Sequence, residues 1–232
     1  VKEKNNTGKY NPATDAFQRI VPDEMMAELK YLINSSFVRA EAVNTEEISQ
    51  FTKYTSDAKQ NDRKEVKSVE ISAYASPDGT LDYNEKLSKE REASSAKFLS
   101  EEMKKAGVEV APKTKYTAED WDGFKKLMEK SDIQDKELIL RVLSMYTDPE
   151  VREREIRNLA QAFTAVADKI LPELRRAKFT TSIDLIGKTD EEILEAAASN
   201  PTSLNQAELV YALTLTDDLA KQLQFANAFT KQ

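Results

Sequence analysis

The sequence predicts an α+β sandwich, one small sheet covered by helices, and three consecutive stretches carry that reading. Val66, Val69, Ile71, Ala73 and Ala75 alternate with polar residues, apart from one slip at Lys67-Ser68, as a half-buried strand requires. The strand runs into Ser76-Pro77-Asp78-Gly79, a turn with a mechanism. Pro77 presets φ, Asp78 can bond back to the backbone, and Gly79 accepts positive φ. A long helix over 82–106 follows, with Leu87, Ala93, Ala96, Leu99 and Met103 available to its buried side. Gly107 stands where a helix-ending glycine belongs.

The other elements fall around this unit. Residues 1–26 are polar and punctuated by Gly8, Pro12 and Pro22, which predicts an irregular lead-in, and a strand is expected near 27–34. Ile48, Phe51 and Tyr54 recur at helical spacing behind a Thr45 cap. Residues 108–116 read as a strand that Pro112 confines to a sheet edge. From 118 to about 170 the chain reads as a helical insertion. Trp121, Phe124, Leu127 and Met128 lie on one side of its first helix, and 154–171 is expected as one amphipathic helix. Phe179, Thr181, Ile183 and Leu185 alternate in a last strand that stops at Gly187. A helical annex, 189–232, opens with a Thr189/Glu192 capping box. Its Leu194, Leu209, Leu213, Leu219, Leu223 and Phe225 are expected to need the main domain as a packing surface. The order is thus β-α-β-α-β, a helical insertion, and a final β.

Composition removes whole classes of chemistry. With neither histidine nor cysteine, no thiolate nucleophile, disulfide, histidine acid–base system or Cys/His metal site can be built. Thirty-four Lys and Arg against 41 Asp and Glu give a formal charge of −7, which disfavours non-specific nucleic-acid binding. The chain contains no apolar run of membrane-spanning length. It starts at Val1 without an initiator methionine or signal peptide, so a processed or trimmed chain is expected. No glycine-rich phosphate loop, zincin helix or EF-hand loop is present, and no cofactor, metal site or catalytic residue is assigned.

One constellation stands out, residues 73–99. A strand end and acceptor-rich turn lead into a helix carrying Asn84, Ser88 and Arg91. The spacing of Asn84, Leu87 and Arg91 brings Arg91 toward the strand end where Ser76 and Asp78 lie. A guanidinium beside a hydroxyl and a carboxylate suits a zwitterionic amino-acid end. The same residues would equally make an internal Arg91–Asp78 ion pair holding turn to helix. Arg175 and Arg176, before the last strand, add positive potential at one edge or make a solvated strand start.

The 73–99 stretch resembles the peptidoglycan-associated domain of the outer-membrane protein A, Pal and MotB family. The family pattern is a strand, Tyr-Thr-Asp, a glycine turn, Tyr-Asn, Leu-Ser and Arg-Ala. This chain has Ala73-Tyr74-Ala75-Ser76, Pro77-Asp78-Gly79, Asp82-Tyr83-Asn84, Leu87-Ser88 and Arg91-Glu92 in that order. Leu174-Arg175-Arg176-Ala177 resembles the family's last-strand motif, Asn-Arg-Arg-Val. The resemblance implies an OmpA-like β-α-β-α-β-β sandwich over 27–188, with the 118–170 insertion before its last strand. It is similar above all to Bacteroidetes envelope proteins in which such a domain leads into tetratricopeptide repeats, with 189–232 as the start of that region.

In the family, an aspartate and an arginine grip the diaminopimelate end of the cell-wall stem peptide. The arginine maps to Arg91, the asparagine to Asn84 and the turn glycine to Gly79. The aspartate position holds Ser76, a departure, with Asp78 two residues on. The resemblance therefore implies a non-enzymatic, periplasmic, outer-membrane-associated module with peptidoglycan stem peptide or other envelope proteins as partners. Ser76, Asp78, Gly79, Asn84, Arg91, Arg175 and Arg176 are its candidate ligand-binding residues. The alternative is a protein-interaction scaffold, working through the insertion and the C-terminal helices, whose ligand site has decayed. If the site survives, Arg91 is expected to be partly exposed toward Gly79. If it has decayed, Arg91 is expected to pair with Asp78 or Glu92.

Overall fold

A computed structural model describes residues 16–231, with backbone only for 160–162. In chain order the elements are β1 (Ile20–Lys30), α1 (Ala40–Val43), α2 (Glu46–Gln60), β2 (Lys64–Tyr74) and α3 (Leu81–Lys105). There follow β3 (Lys113–Thr117), α4 (Trp121–Lys130), α5 (Lys136–Met145), α6 (Pro149–Asn158), α7 (Ala160–Lys169) and α8 (Leu171–Leu174). The chain continues with β4 (Arg176–Ile186), α9 (Asp190–Ser199), a 3-10 turn at Pro201–Ser203, α10 (Gln206–Thr214) and α11 (Leu219–Phe229).

The strands form an open four-stranded sheet in the order β1-β4-β2-β3. β2 and β3 are parallel, with Glu70 opposite Lys113 and Tyr74 opposite Thr117. β1 and β4 run antiparallel. The Tyr31 N–H donates to the Arg175 carbonyl at 2.7 Å, and the Gly187 N–H to the Arg19 carbonyl at 2.6 Å. The alternation in β2 places Val69, Ile71 and Ala73 inward, where Phe51 of α2, Leu99 and Met103 of α3 and Phe179 of β4 pack on them.

Several boundaries differ from the sequence expectation. Of the lead-in expected over 1–26, residues 1–15 lie outside the described residues, and β1 already begins at Ile20. Pro22 is tolerated there because β1 is an edge strand, whose outward N–H groups need no partner. The strand expected at 27–34 therefore ends at Lys30, and 31–34 form the start of a loop. β3 begins just after Pro112 rather than at 108, since proline has no N–H to give a ladder. Val108 is nevertheless buried in the core. The expected helix 154–171 is broken at Leu159, whose φ of −84° and ψ of 65° are not helical. The break lets Ile156 of α6 and Val166 of α7 enter one cluster.

Helices α4–α8 have an apolar cluster of their own, built on Phe124, Met128, Ile139, Leu143, Ile156, Val166 and Leu174. Asp120 caps α4 by accepting from the Gly123 N–H at 2.9 Å. Phe124 is buried, whereas Trp121 is only half-buried, edge-on to Phe124 with ring centroids 5.4 Å apart.

The chain divides into two compact units, one of Asp23–Ile183 and one of the described residues up to Pro22 with those from Asp184 onward. The second has its own core of Ile193, Ala197, Leu204, Leu209, Ala212 and Phe225. Thr189 and Glu192 form the capping box of α9. Phe17 stacks on Tyr211 at 4.1 Å, and Arg19 pairs with Asp190. The six apolar residues expected to need the main domain divide here. Leu209 and Phe225 are buried and Leu194 and Leu213 half-buried within this unit's own core, while Leu219 and Leu223 stay exposed.

Candidate functional site

The turn that follows β2 has the backbone its sequence calls for. Gly79 sits at φ +113°, a conformation that side chains rarely adopt. The Asp78 N–H donates to the Ser76 carbonyl at 2.8 Å, and the Thr80 hydroxyl caps α3. The parallel neighbour β3 holds the strand end, because the Ala75 N–H donates to the Thr117 carbonyl at 3.2 Å.

Among the described residues Arg91 is the largest fully buried side chain, 0% exposed. All three of its guanidinium nitrogens donate to main-chain carbonyls of this chain: Nε to Ser35 at 2.9 Å, Nη1 to Tyr74 at 2.9 Å and Nη2 to Leu32 at 3.0 Å. Its guanidinium carbon lies 5.1 Å from the centre of the Tyr31 ring, and the Tyr31 hydroxyl donates to the Arg91 carbonyl at 3.2 Å. Burial pulls the Arg91 pKa down to about 10, and the nearby charge of Arg175 acts in the same direction. Burial likewise raises the Tyr31 phenol above its ordinary value.

This corrects both expectations for Arg91. It is not partly exposed toward Gly79, and its donors go neither to Asp78 nor to Glu92. The loop after β1 carries two of the three acceptors, and no side-chain pattern marks a backbone carbonyl as an acceptor in advance.

Asp78 has a different partner. Its Oδ2 lies 3.3 Å from Arg175 Nη2, with the two side chains 18% and 11% exposed respectively. Arg175 Nε also donates to the Ser76 hydroxyl at 3.3 Å, and that hydroxyl donates to Asp78. Ser76, Asp78 and Arg175 thus form one hydrogen-bonded triad, and the reading of Arg175 as a solvated strand start does not hold.

The remaining candidates are tied off separately. Asn84 is buried and its Nδ2 lies 3.4 Å from Glu119 Oε1, while Glu119 also accepts from the Trp121 indole at 2.9 Å. The Gly79 N–H donates to Glu153 Oε1 of α6 at 3.2 Å. Arg176 pairs with Asp120 at 2.8 Å and Glu28 at 3.0 Å, and stacks over the Tyr74 ring at 4.4 Å. Asp120 and Glu153 are the site residues that sequence reasoning passed over. Both carboxylates looked like ordinary charges of helix starts or faces, and only the fold brings them to the turn.

The geometry is that of a closed polar cluster. Arg91 offers an incoming carboxylate no exposed surface, and Arg175 a side chain only 11% exposed. Among the described residues no group of three or more acidic residues is placed to hold a metal ion. None of their helices is long and apolar enough to cross a membrane. No protein-family model matches the sequence, and no curated protein matches it.

Proposed function

We propose that the chain is a non-enzymatic module of the cell envelope, built on an OmpA-like scaffold, that works by binding other envelope proteins. In this reading the residues of the family's stem-peptide grip serve the fold. The observation that carries it is the use of Arg91: a guanidinium that would hold a ligand carboxylate spends its three nitrogens on the carbonyls of Leu32, Ser35 and Tyr74. The Asp78–Arg175 pair beside Ser76 supports it too, since both partners of a zwitterionic ligand are already satisfied internally. The working surfaces are then the helical insertion and the helices after β4, in a periplasmic, outer-membrane-associated protein.

Calorimetric titration with soluble stem peptides containing diaminopimelate tests this. The expected result is no binding by the wild type, together with a clear loss of stability in Arg91→Ala. Binding by the wild type that Asp78→Asn or Arg175→Gln abolishes would replace this reading with peptidoglycan recognition. In that case Asp78 would stand in for the missing aspartate at Ser76.

A further inference from the structure

We propose that the outer edge of β3 takes up an extended acidic segment of a partner protein as an additional strand. The inference concerns a different surface from those proposed above and does not depend on them. β3 closes one end of the sheet, and its phase is fixed by the Ala75 N–H, which donates to the Thr117 carbonyl at 3.2 Å. That bond turns the main-chain groups of Thr117, Lys115 and Lys113 toward β2. The alternate residues, Thr114 and Tyr116, therefore turn their N–H and C=O groups away from the sheet. Such an edge is a template for strand addition.

The two ends of the sheet differ. At β1, the opposite edge, Pro22 has no N–H to offer, and the Glu28 N–H is already taken by Glu47 of α2 at 3.0 Å. Among the described residues no comparable bond closes off the outward groups of Thr114 or Tyr116. One edge is guarded and the other is open.

The side chains select the partner's charge. Lys113 and Lys115 share one face of β3 and are both exposed. Ser72, opposite Lys115, brings no counter-charge, and among the described residues neither lysine has an ion-pair partner, although Glu70 stands opposite Lys113. On the other face Tyr116 is 40% exposed, with Lys89 Nζ 5.0 Å from its ring centre. A strand laid beside β3 thus meets two lysines at alternate positions on one face and an aromatic ring on the other. Acidic residues alternating with apolar ones complement both. A second copy of this chain does not. Two β3 edges would set lysine against lysine, and the acidic edge of another copy, with Asp23, Glu24 and Glu28 in β1, is the guarded one.

Fluorescence anisotropy on the full chain, with a labelled peptide alternating glutamate and valine, tests the proposal. The wild type should bind it about tenfold or more tightly than the same peptide with lysine in place of glutamate, and added salt should weaken the binding. Lys113→Glu together with Lys115→Glu should cost about tenfold or more. Thr114→Pro removes an outward N–H that β2 does not use, so it should weaken binding while leaving the urea midpoint near that of the wild type. Two further probes leave the protein unaltered, one methylated on every glutamate nitrogen and one on every valine nitrogen. Only one of these sets of N–H groups faces β3, so one probe should bind about tenfold more weakly than the other. No binding by the wild type at millimolar peptide overturns the proposal. So does binding that is indifferent to which nitrogens are methylated, or that survives the paired lysine substitutions.

Discussion

Arg91 Nη2 and the Leu32 carbonyl oxygen lie 3.0 Å apart, a bond from the middle of α3 to the loop after β1. With the bonds to Ser35 and Tyr74, one side chain joins three stretches of chain: that loop, the end of β2 and α3. A charge taken out of water needs compensation, and here carbonyl dipoles and the Tyr31 ring supply it in place of a carboxylate.

Arg91→Ala should therefore destabilise the fold by about 3 to 5 kcal/mol, because it removes three charge-assisted bonds and leaves buried carbonyls without them. Arg91→Lys should recover less than half of that loss. One ammonium cannot span acceptors that a planar guanidinium reaches together. Urea midpoints give the ranking, and faster amide exchange confined at first to residues 32–37 would locate the damage. A midpoint for Arg91→Ala equal to that of the wild type would contradict the structural role.

The Asp78–Arg175 pair has both side chains less than one-fifth exposed, so it should be worth more than a solvated surface bridge. A double-mutant cycle of Asp78→Asn and Arg175→Gln should return a coupling of about 1 to 2 kcal/mol. That coupling should change little with added salt, since water and ions screen this pair poorly. Additive single-variant effects would mean that the pair contributes nothing.

Gly123→Ala should destabilise, although alanine is the better helix former by roughly 1 kcal/mol. A Cβ at this position would run into the Asp120 carboxylate. Asp120 cannot swing aside freely, because it caps α4 and pairs with Arg176. The displaced cap costs about 1 to 2 kcal/mol and the disturbed Asp120–Arg176 pair about 1 more, so after the gain in propensity the net loss should be about 1 to 2 kcal/mol. Thermal unfolding of the two proteins decides the sign.

Tyr31 should ionise late in an alkaline titration. Burial raises its folded-state pKa above the ordinary 10.0, so the folded chain keeps a proton that the unfolded chain gives up. The stability tied to the neutral phenol is full below that ordinary value and is lost as pH rises through the folded pKa. Phenolate absorbance should show the late step in the wild type and lose its Tyr31 share in Tyr31→Phe. An unchanged titration curve in that variant would refute it.

Local sequence was enough for the strand–turn–helix at the centre of the sheet, because each part has a short-range cause. Alternation set the inward face of β2, a positive φ required Gly79, and Gly107 closed α3. The helical character of the 118–170 insertion, the capping box at Thr189 and the edge position of the strand after Pro112 are legible for the same reason. What lay beyond sequence was the pairing of charges. Spacing along α3 could bring Arg91 to the strand end, but it could not choose between Asp78 and three carbonyls. That choice depends on how the loop after β1 closes over α3 and on Arg175 arriving, 97 positions later, to take Asp78. Backbone carbonyls look alike in any sequence, and long-range ion pairs form only after the strands have been ordered. The fate of the buried arginine was therefore decided by tertiary structure alone.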